Sequence, residues 1–398
     1  MSIEDFDIVI SGGGIAGLTA ALGFGRAGLR TLCIDPTPPV TTEDASGADL
    51  RTTAFLQPSQ RLLARIGLWP RLAPHAAPLS TMRIVDAGGV TATPREIADF
   101  RAEDLSDLPF AWNLPNWLIR REVLAAIAST ETVMFRSGIA ATRLFTRDRD
   151  ARLTLSDGSQ ARARLIVAAD GRNSTIRAEL GIDVTTWRYG QKALVFTVGH
   201  DTPHEDISTE VHRTGGPFTL VPLPDLDGQH RSSVVWMDKG ASVVTLAGMA
   251  EDRFNAAATE RSGGILGELR LLGQRSVWPI ISQRARQLVG QRTALMAEAA
   301  HVVPPIGAQG LNMSLADLAM LLDLAEATPA DLGSVRMLAR YQQRRLPDIT
   351  ARVTGIDALN RASIASAPVL RDMRRAGLKL FHDVAPLRKT LMRAGLGA

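Results

Sequence analysis

The chain has 398 residues and a single cysteine, Cys33, set within an apolar run. One thiol excludes an internal disulfide and a cysteine-built metal site. His/Cys metal spacing and a Ser-His-Asp signature are also missing, so neither metal-dependent nor serine-nucleophile chemistry is expected. The opening Met1-Ser-Ile-Glu-Asp-Phe-Asp7 has no basic segment followed by an apolar one, so it does not read as a signal peptide. No window approaches the roughly 18 uninterrupted apolar residues of a membrane-spanning helix. No basic run is interleaved with aromatics, so nucleic acid is not an expected partner. These absences together fit a reducing cytoplasm.

What is present is ordinary in bulk: 45% hydrophobic and 22% charged residues, with a formal charge of +4. Single cores stop growing at about 250–300 residues, so two domains are expected. The charge distribution says more than its total. After residue 350 stand Arg352, Arg361, Arg371, Arg374, Arg375, Lys379, Arg388, Lys389 and Arg393, against Asp357, Asp372 and Asp383. That basic tail reads either as a solvated helical face or as a surface for an anionic membrane or acidic partner.

Asp7–Ser11 reads as a buried strand, Ile15–Arg26 as a helix and Thr31–Asp35 as a second strand, which is a βαβ opening. A helix is expected over Pro58–Ile66 and another over Ile119–Ser129. Residues 68–116, broken by prolines, read as strands and loops rather than helices. Strand signals recur at Arg152–Leu155 and Arg164–Ala168. From 181 to 280, Val-, Thr- and Phe-rich runs alternate with Pro and Gly. Ala193–Val198, Phe218–Leu223 and Ser232–Trp236 look like strands of an antiparallel sheet. A strand over 293–296 and a helix from Leu311 to about Leu324 follow, and residues 334–398 read as two or three helices.

Three motifs carry chemistry. In Gly12-Gly13-Gly14-Ile15-Ala16-Gly17, Gly12 permits a tight turn, Gly14 a close approach to a pyrophosphate, and Gly17 close helix packing. The helix start offers free N–H groups to phosphate, and Asp35 stands where a carboxylate holds a ribose. A dinucleotide site is therefore expected, without a choice between NAD and FAD. The second motif, Leu165–Arg177, runs a strand into Asp170-Gly171, with Ser174 as a candidate helix cap. The third runs from Ala294 through Ala297-Glu298 and His301 to Pro304-Pro305-Ile-Gly307-Ala-Gln309-Gly310-Leu311-Asn312. It ends on a helix start beside Gly310, where a flat ring could approach and negative charge would be stabilised. Asp317, in that helix, reads as a surface or packing residue, and His200, His204 and His212 as surface residues.

In order and spacing, these motifs resemble the FAD-dependent aromatic hydroxylase superfamily, represented by p-hydroxybenzoate hydroxylase. Further stretches resemble its ubiquinone-biosynthesis branch. They are Asp49-Leu-Arg51, Asn113-Leu-Pro-Asn116, Tyr189-Gly-Gln191, Gly216–Leu223, Val235-Trp236, His301–Asn312, Tyr341–Asp348 and Leu359-Asn360-Arg361, and together they span nearly the whole chain. The resemblance implies an α/β (α+β) fold in which a Rossmann-like FAD-binding domain is interrupted by a mostly antiparallel β-sheet substrate domain and ends in C-terminal helices. Residues 1–75, 106–180 and 277–330 would form the FAD-binding domain and 76–105 and 181–276 the substrate domain. Residues 331–398 would pack as helices on the former.

The resemblance also implies roles. Gly12, Gly14 and Gly17 would wrap the FAD pyrophosphate and Asp35 the adenosine ribose. Arg51 and Arg121 would contact the cofactor, with Arg120 the competing choice for the second. Asp170 and Gly171 would touch FAD and NAD(P)H. Glu298 would meet the ribityl chain, and Gly310, Leu311 and Asn312 would border the isoalloxazine, with Pro305 near its reactive edge. Ala297-Glu298 departs from the family's Gly-Asp, which predicts a re-set ribityl contact and lowered FAD affinity. The implied reaction uses NAD(P)H or a redox protein as electron donor and O2 as cosubstrate. It hydroxylates a polyprenyl phenol through a flavin C(4a)-hydroperoxide, at the inner face of the membrane or within a biosynthetic complex. His301 is the candidate proton carrier, with a loop-holding role as its alternative. Two other readings stay open: hydroxylation of another aromatic compound, and a weakly FAD-binding, non-enzymatic scaffold.

Overall fold

The run Asp7–Ser11 lacks polar alternation, as a strand covered on both faces requires. In the computed structural model, which describes residues 3–87, 94–364 and 385–396, it lies within β1 (Ile3–Ser11), and Ile8, Val9 and Ile10 are fully buried. α1 (Ile15–Arg26) and β2 (Thr31–Asp35) complete the opening unit. Next come β3 (Thr52–Leu56), α2 (Gln57–Arg65) and the short α3 (Trp69–Leu72). Strands β4 (Ala77–Leu79), β5 (Thr81–Asp86), β6 (Glu96–Arg101) and β7 (Ala111–Pro115) lead to α4 (Asn116–Ala128). They are followed by β8 (Val133–Ser137), β9 (Ala141–Thr146), β10 (Ala151–Leu155), β11 (Gln160–Ala168) and α5 (Thr175–Glu179).

The middle of the chain holds β12 (Val184–His200), β13 (Ile207–His212), β14 (Pro217–Leu226), β15 (Gln229–Lys239), α6 (Gly240–Ala247), α7 (Glu251–Ser262) and β16 (Arg270–Ala285). The last elements are β17 (Val289–Gly290), β18 (Thr293–Leu295), β19 (His301–Val302), α8 (Gln309–Ala327), α9 (Val335–Ile364) and α10 (Ala385–Leu396). Arg371, Arg374, Arg375 and Lys379 of the basic tail lie outside the described residues.

Strands β18, β11, β1, β2 and β8 lie side by side and parallel, with β17 at one edge and the β9–β10 hairpin joined antiparallel to β11. This is the nucleotide-binding sheet, and it draws its strands from both ends of the chain. A second sheet runs β19-β16-β12-β15-β14-β13-β5-β6 and is antiparallel except between β13 and β5. A small third sheet joins β3, β7 and β4.

The two faces of the second sheet separate by strict alternation. Leu194, Phe196, Phe218, Leu220 and Trp236 point to one side, where Val243, Leu246 and Phe254 of α6 and α7 cover them. Ala193, Val195, Met237 and Ile280 point to the other, toward Ile306 of the loop before α8. Phe218–Leu223 therefore does not line the inner face as a whole, because Phe218 and Leu220 are turned outward into the helices.

The structure differs from sequence expectation at several points. Residues 68–116 contain α3, and the β-rich stretch contains α6 and α7. Ser-Val-Val-Thr within α6 has strand-like composition, but burial of Val243 and Leu246 on the sheet overrides that weak preference. The 276/277 boundary falls inside β16, which continues to pair with β12 as far as Ala285. His200 is buried, not a surface residue: its ring nitrogens lie 2.8 Å from the Thr202 carbonyl and 2.9 Å from Ser232 Oγ.

Two motifs at distant positions pair with each other. The Tyr189 hydroxyl donates to Asp357 at 2.6 Å and meets Ser282 at 2.7 Å, and Asn360 donates to Gln191 at 3.1 Å. Burial, then the Asp357 carboxylate, pushes the Tyr189 phenol up to about 12. These bonds latch the end of α9 to β12. Tyr189→Phe is expected to lower the unfolding free energy by about 1.5–3 kcal/mol, the range for a bond to a charged group. Urea unfolding checks this, and an unchanged midpoint would show that the latch contributes nothing.

Candidate active site

The glycine turn is built by close packing on one side and open space on the other. Gly12 has φ +116°, and a Cβ there would overlap the Ala169 carbonyl. A Cβ on Gly17 would overlap the Gly12 carbonyl, so α1 sits directly on the turn. Gly14 differs: a Cβ would meet nothing within 4 Å, and no side chain caps the helix it starts. The first N–H groups of α1 are thus open to a ligand. The Asp35 carboxylate accepts from Gly13 N at 2.6 Å and Thr37 N at 2.8 Å. Each oxygen keeps a lone pair for a further donor.

The start of α8 repeats the pattern. Gly310 is exposed, a Cβ there would meet nothing within 4 Å, and α8 has no side-chain cap. Ala308, just before it, has φ +55°, and so does Ala297. An L-residue pays about 1–2 kcal/mol in that region, and Ala297 occupies the place where the resembling family carries glycine. The turn at 297 is thus kept at some strain. Glu298 is exposed beside it, and Pro305 is exposed on the intervening loop.

Arg51 reaches the second sheet. Its Nε and Nη2 donate to Asp49 at 2.8 and 2.7 Å, and its guanidinium lies 3.9 Å from the Trp278 ring centroid on β16. Burial lowers the affinity of Arg51 for its proton, but Asp49 and the charge of Glu298 outweigh it. Burial pushes the Asp49 carboxyl up, and Arg51, then Asn116, more than offset this, so it is held low.

The two candidates for the second basic contact differ in their surroundings. Arg121 is exposed and pairs with Glu122 at 2.9 Å. Arg120 lies one helical turn after Asn116, which bonds Asp49, and so shares its face. Arg120 reaches the Val40 carbonyl at 3.3 Å, and its Nε is buried without a hydrogen-bond partner among the described residues.

His301 is 2% exposed, and its Nε2 lies 2.7 Å from Asp317 Oδ2. Asp317 has no exposure at all, so it is a packing residue and not a surface one. It accepts from Arg345 Nε at 2.8 Å and from Ala297 N at 3.1 Å. This geometry fits the loop-holding alternative for His301. Burial pushes the Asp317 carboxyl up, but His301 and then Arg345 hold it below the usual range. Asn312 is likewise fully engaged, accepting from Leu56 N at 3.0 Å and donating to the Ala54 and Ala308 carbonyls at 2.8 and 2.6 Å. Asp170 accepts from Ser174 and from Ile176 N, and Ser174 caps α5 through Arg177 N at 3.0 Å. Burial raises the Asp170 carboxyl.

The structure therefore gathers Gly12, Gly14, Gly17 and Asp35 at the start of α1, and Arg51, Glu298, Gly310 and Pro305 between α8 and the second sheet. Sequence reasoning missed Asp49, Asp317, Arg345, Gln309 and Trp278. Asp49, Gln309 and Arg345 stood in noted motifs, whereas Trp278 left no local signal. Gln309 ties the loop to both C-terminal helices, donating to the Gly395 carbonyl and accepting from Arg352, each at 2.9 Å. The donor set fits an elongated anionic dinucleotide with a flat ring. Two uncapped helix starts each have open space above a glycine, and the orphaned Arg120 Nε is a free buried cationic donor. No His/Cys/Asp/Glu group among the described residues could hold a metal ion, and no described helix is long and apolar enough to cross a membrane.

A family model described as an FAD binding domain matches residues 5–355. The chain is 33% identical to the ubiquinone hydroxylase UbiL of Rhodospirillum rubrum over 395 residues, covering 98% of this chain and 89% of that protein. It is 27% identical to the 3-demethoxyubiquinol 3-hydroxylase of Escherichia coli, with 100% of both covered. It is also 27% identical to the human mitochondrial ubiquinone biosynthesis monooxygenase COQ6, covering 97% of this chain and 92% of that one. Among solved structures, p-nitrophenol 4-monooxygenase PnpA of Pseudomonas putida superposes with a TM-score of 0.80 at 18% identity, covering 100% and 99% of the two chains.

Asp317→Asn leaves the buried Arg345 with only the half-buried Asp348 as counter-charge, so a loss of about 3 kcal/mol at neutral pH is expected, the low end for a broken buried pair. Because the folded-state carboxyl is held low, its contribution is present above the unfolded value of about 3.9 and is lost as pH falls further. Thermal unfolding at pH 7 and across acid pH checks both points. The variant should be less stable at pH 7 and should lack that part of the acid dependence.

Proposed function

The chain belongs to the FAD-binding-domain family, and on that premise we propose that it is a flavin-dependent monooxygenase hydroxylating the aromatic ring of a polyprenyl phenol in ubiquinone biosynthesis. One observation carries this reading. The loop that leads into the uncapped, open start of α8 packs through Ile306 on an apolar sheet surface of Ala193, Val195, Met237 and Ile280. A flat redox ring and a hydrophobic aromatic substrate would meet there out of water. The names of the relatives over nearly their full length support the pathway.

Bound FAD would supply the reduction of O2 and the transfer of one oxygen atom to the ring, with electrons from NAD(P)H or a redox protein. The protein supplies binding, orientation and dryness. Gly12, Gly14 and Gly17 hold the pyrophosphate against the α1 N-terminus, and Asp35 the ribose. Arg51 and Arg120 supply positive charge, Asp170 and Gly171 border the cofactor, and Glu298 meets the ribityl chain. The N-terminal dipole of α8, at Gly310 and Leu311, favours negative charge on the reduced ring. Asn312 positions that helix against β3, Pro305 borders the reacting edge, and His301 acts as a positioning residue through Asp317. Contact with an anionic membrane surface or a biosynthetic complex completes the reading. It is supported by α10, which carries Lys389 and Arg393 beside Arg388, itself paired with Asp104 at 3.3 Å, and no acid.

Two outcomes test this. Gly310→Ala fills open space in the first turn of α8. It is expected to stabilise the flavin-free protein by up to about 1 kcal/mol through helix propensity, while FAD retention, read from visible absorbance, falls. Retained FAD would remove Gly310 from the cofactor site. In the source cell, deletion of the gene should abolish ubiquinone and accumulate a polyprenyl phenol short of one or more oxygens, seen by mass spectrometry. Unchanged ubiquinone in a cell without a redundant hydroxylase would leave the other aromatic substrates or the scaffold.

A further inference from the structure

The inner face of the second sheet presents mainly carbon toward the loop before α8, whose Ile306 packs on it. One half-buried side chain breaks that pattern. The Trp278 indole Nε1 is shielded from solvent and has no hydrogen-bond partner among the described residues. Buried donors are almost always paired in native proteins, so this one calls for an acceptor. Trp278 opposes Ala193 across β12 and β16 and shares its apolar cluster with Val235 and Ile306. Its ring face is covered by Arg51, which Asp49 fixes in turn. A cation stacked on the face orients the indole but leaves the in-plane N–H unused. Arg51 also senses the charge of Glu298, so the guanidinium on the indole lies within reach of the field of the turn after β18.

We propose that the Trp278 N–H recognises substrate by donating to an oxygen substituent, a hydroxyl or an ether, on the aromatic ring held against this face. The inference rests on the aromatic-hydroxylase reading above and assigns it a specificity-determining residue. A hydrocarbon ring of the same shape would leave the donor unpaired, and a site built to hydrogen-bond a substrate rejects the analogue that cannot.

The test titrates the FAD-loaded protein with 2-farnesylphenol, its methyl ether and farnesylbenzene, reading binding from the flavin spectrum and tryptophan fluorescence. The wild-type protein should bind both oxygen-bearing rings about 10- to 100-fold more tightly than the hydrocarbon, the range for one unpaired buried donor. Trp278→Phe keeps an aromatic face for Arg51 and lacks the N–H. It should bind all three alike, with FAD content unchanged. A wild-type protein that does not distinguish the ether from the hydrocarbon overturns the inference and leaves the hydroxylase reading standing, without need of a variant. A W278F protein that keeps the preference overturns it too. So does one that loses FAD while keeping the preference, which would assign the N–H to the cofactor. Failure of all three ligands to bind overturns both the inference and the aromatic-substrate reading.

Discussion

A carboxylate withdrawn wholly from water must be met by positive charge and hydrogen-bond donors, and Asp317 meets that demand with partners from separate parts of the chain. Arg345 comes from α9, His301 from β19 and the Ala297 amide from the turn after β18. Each partner is thereby tied to α8. The start of α8 and the strained turn at Ala297 are two walls of the candidate cofactor site, so one buried charge cluster sets the spacing between them. Asn312 does the same with neutral bonds, joining α8 to β3 and to Ala308. The site is therefore held by the core and not by its own loops.

Around that anchor the second sheet divides labour between its faces. The outer face is closed by α6 and α7, and the inner face is turned toward Ile306 in the loop before α8. Three connections fix the sheet against the nucleotide-binding part: Arg51 on Trp278, Asn113 donating to the Pro222 carbonyl at 2.8 Å, and the Tyr189–Asp357 latch. A reaction that needs two rings aligned in a dry space depends on such connections, because small misplacements cost large factors in rate.

Much of the nucleotide-binding unit was legible in the sequence, because its requirements are local. The bounds of α1 and β2, the turn at Gly12, Asp35 one strand later and the Ser174 cap each follow from backbone geometry within a few residues. The errors lie where the deciding neighbour is distant. Arg120 and Arg121 are adjacent and chemically alike, and the face that α4 turns toward Asp49 separates them. His301 beside a glycine-rich loop has the look of a proton carrier until Asp317 and Arg345 are seen to enclose it.

By itself the sequence determined the order of the elements, the phosphate-binding turn and the apolar periodicity that makes two kinds of sheet, because those properties are written within single turns and strands. Tertiary structure alone decided which charged groups are buried together, which of the two arginines shares a face with Asn116 and which side of the second sheet α6 and α7 cover. Those outcomes depend on pairings between residues far apart in the chain, as in Asn312 with Ala54, 258 positions away. Burial turns such pairings from weak surface contacts into the partners a desolvated group requires.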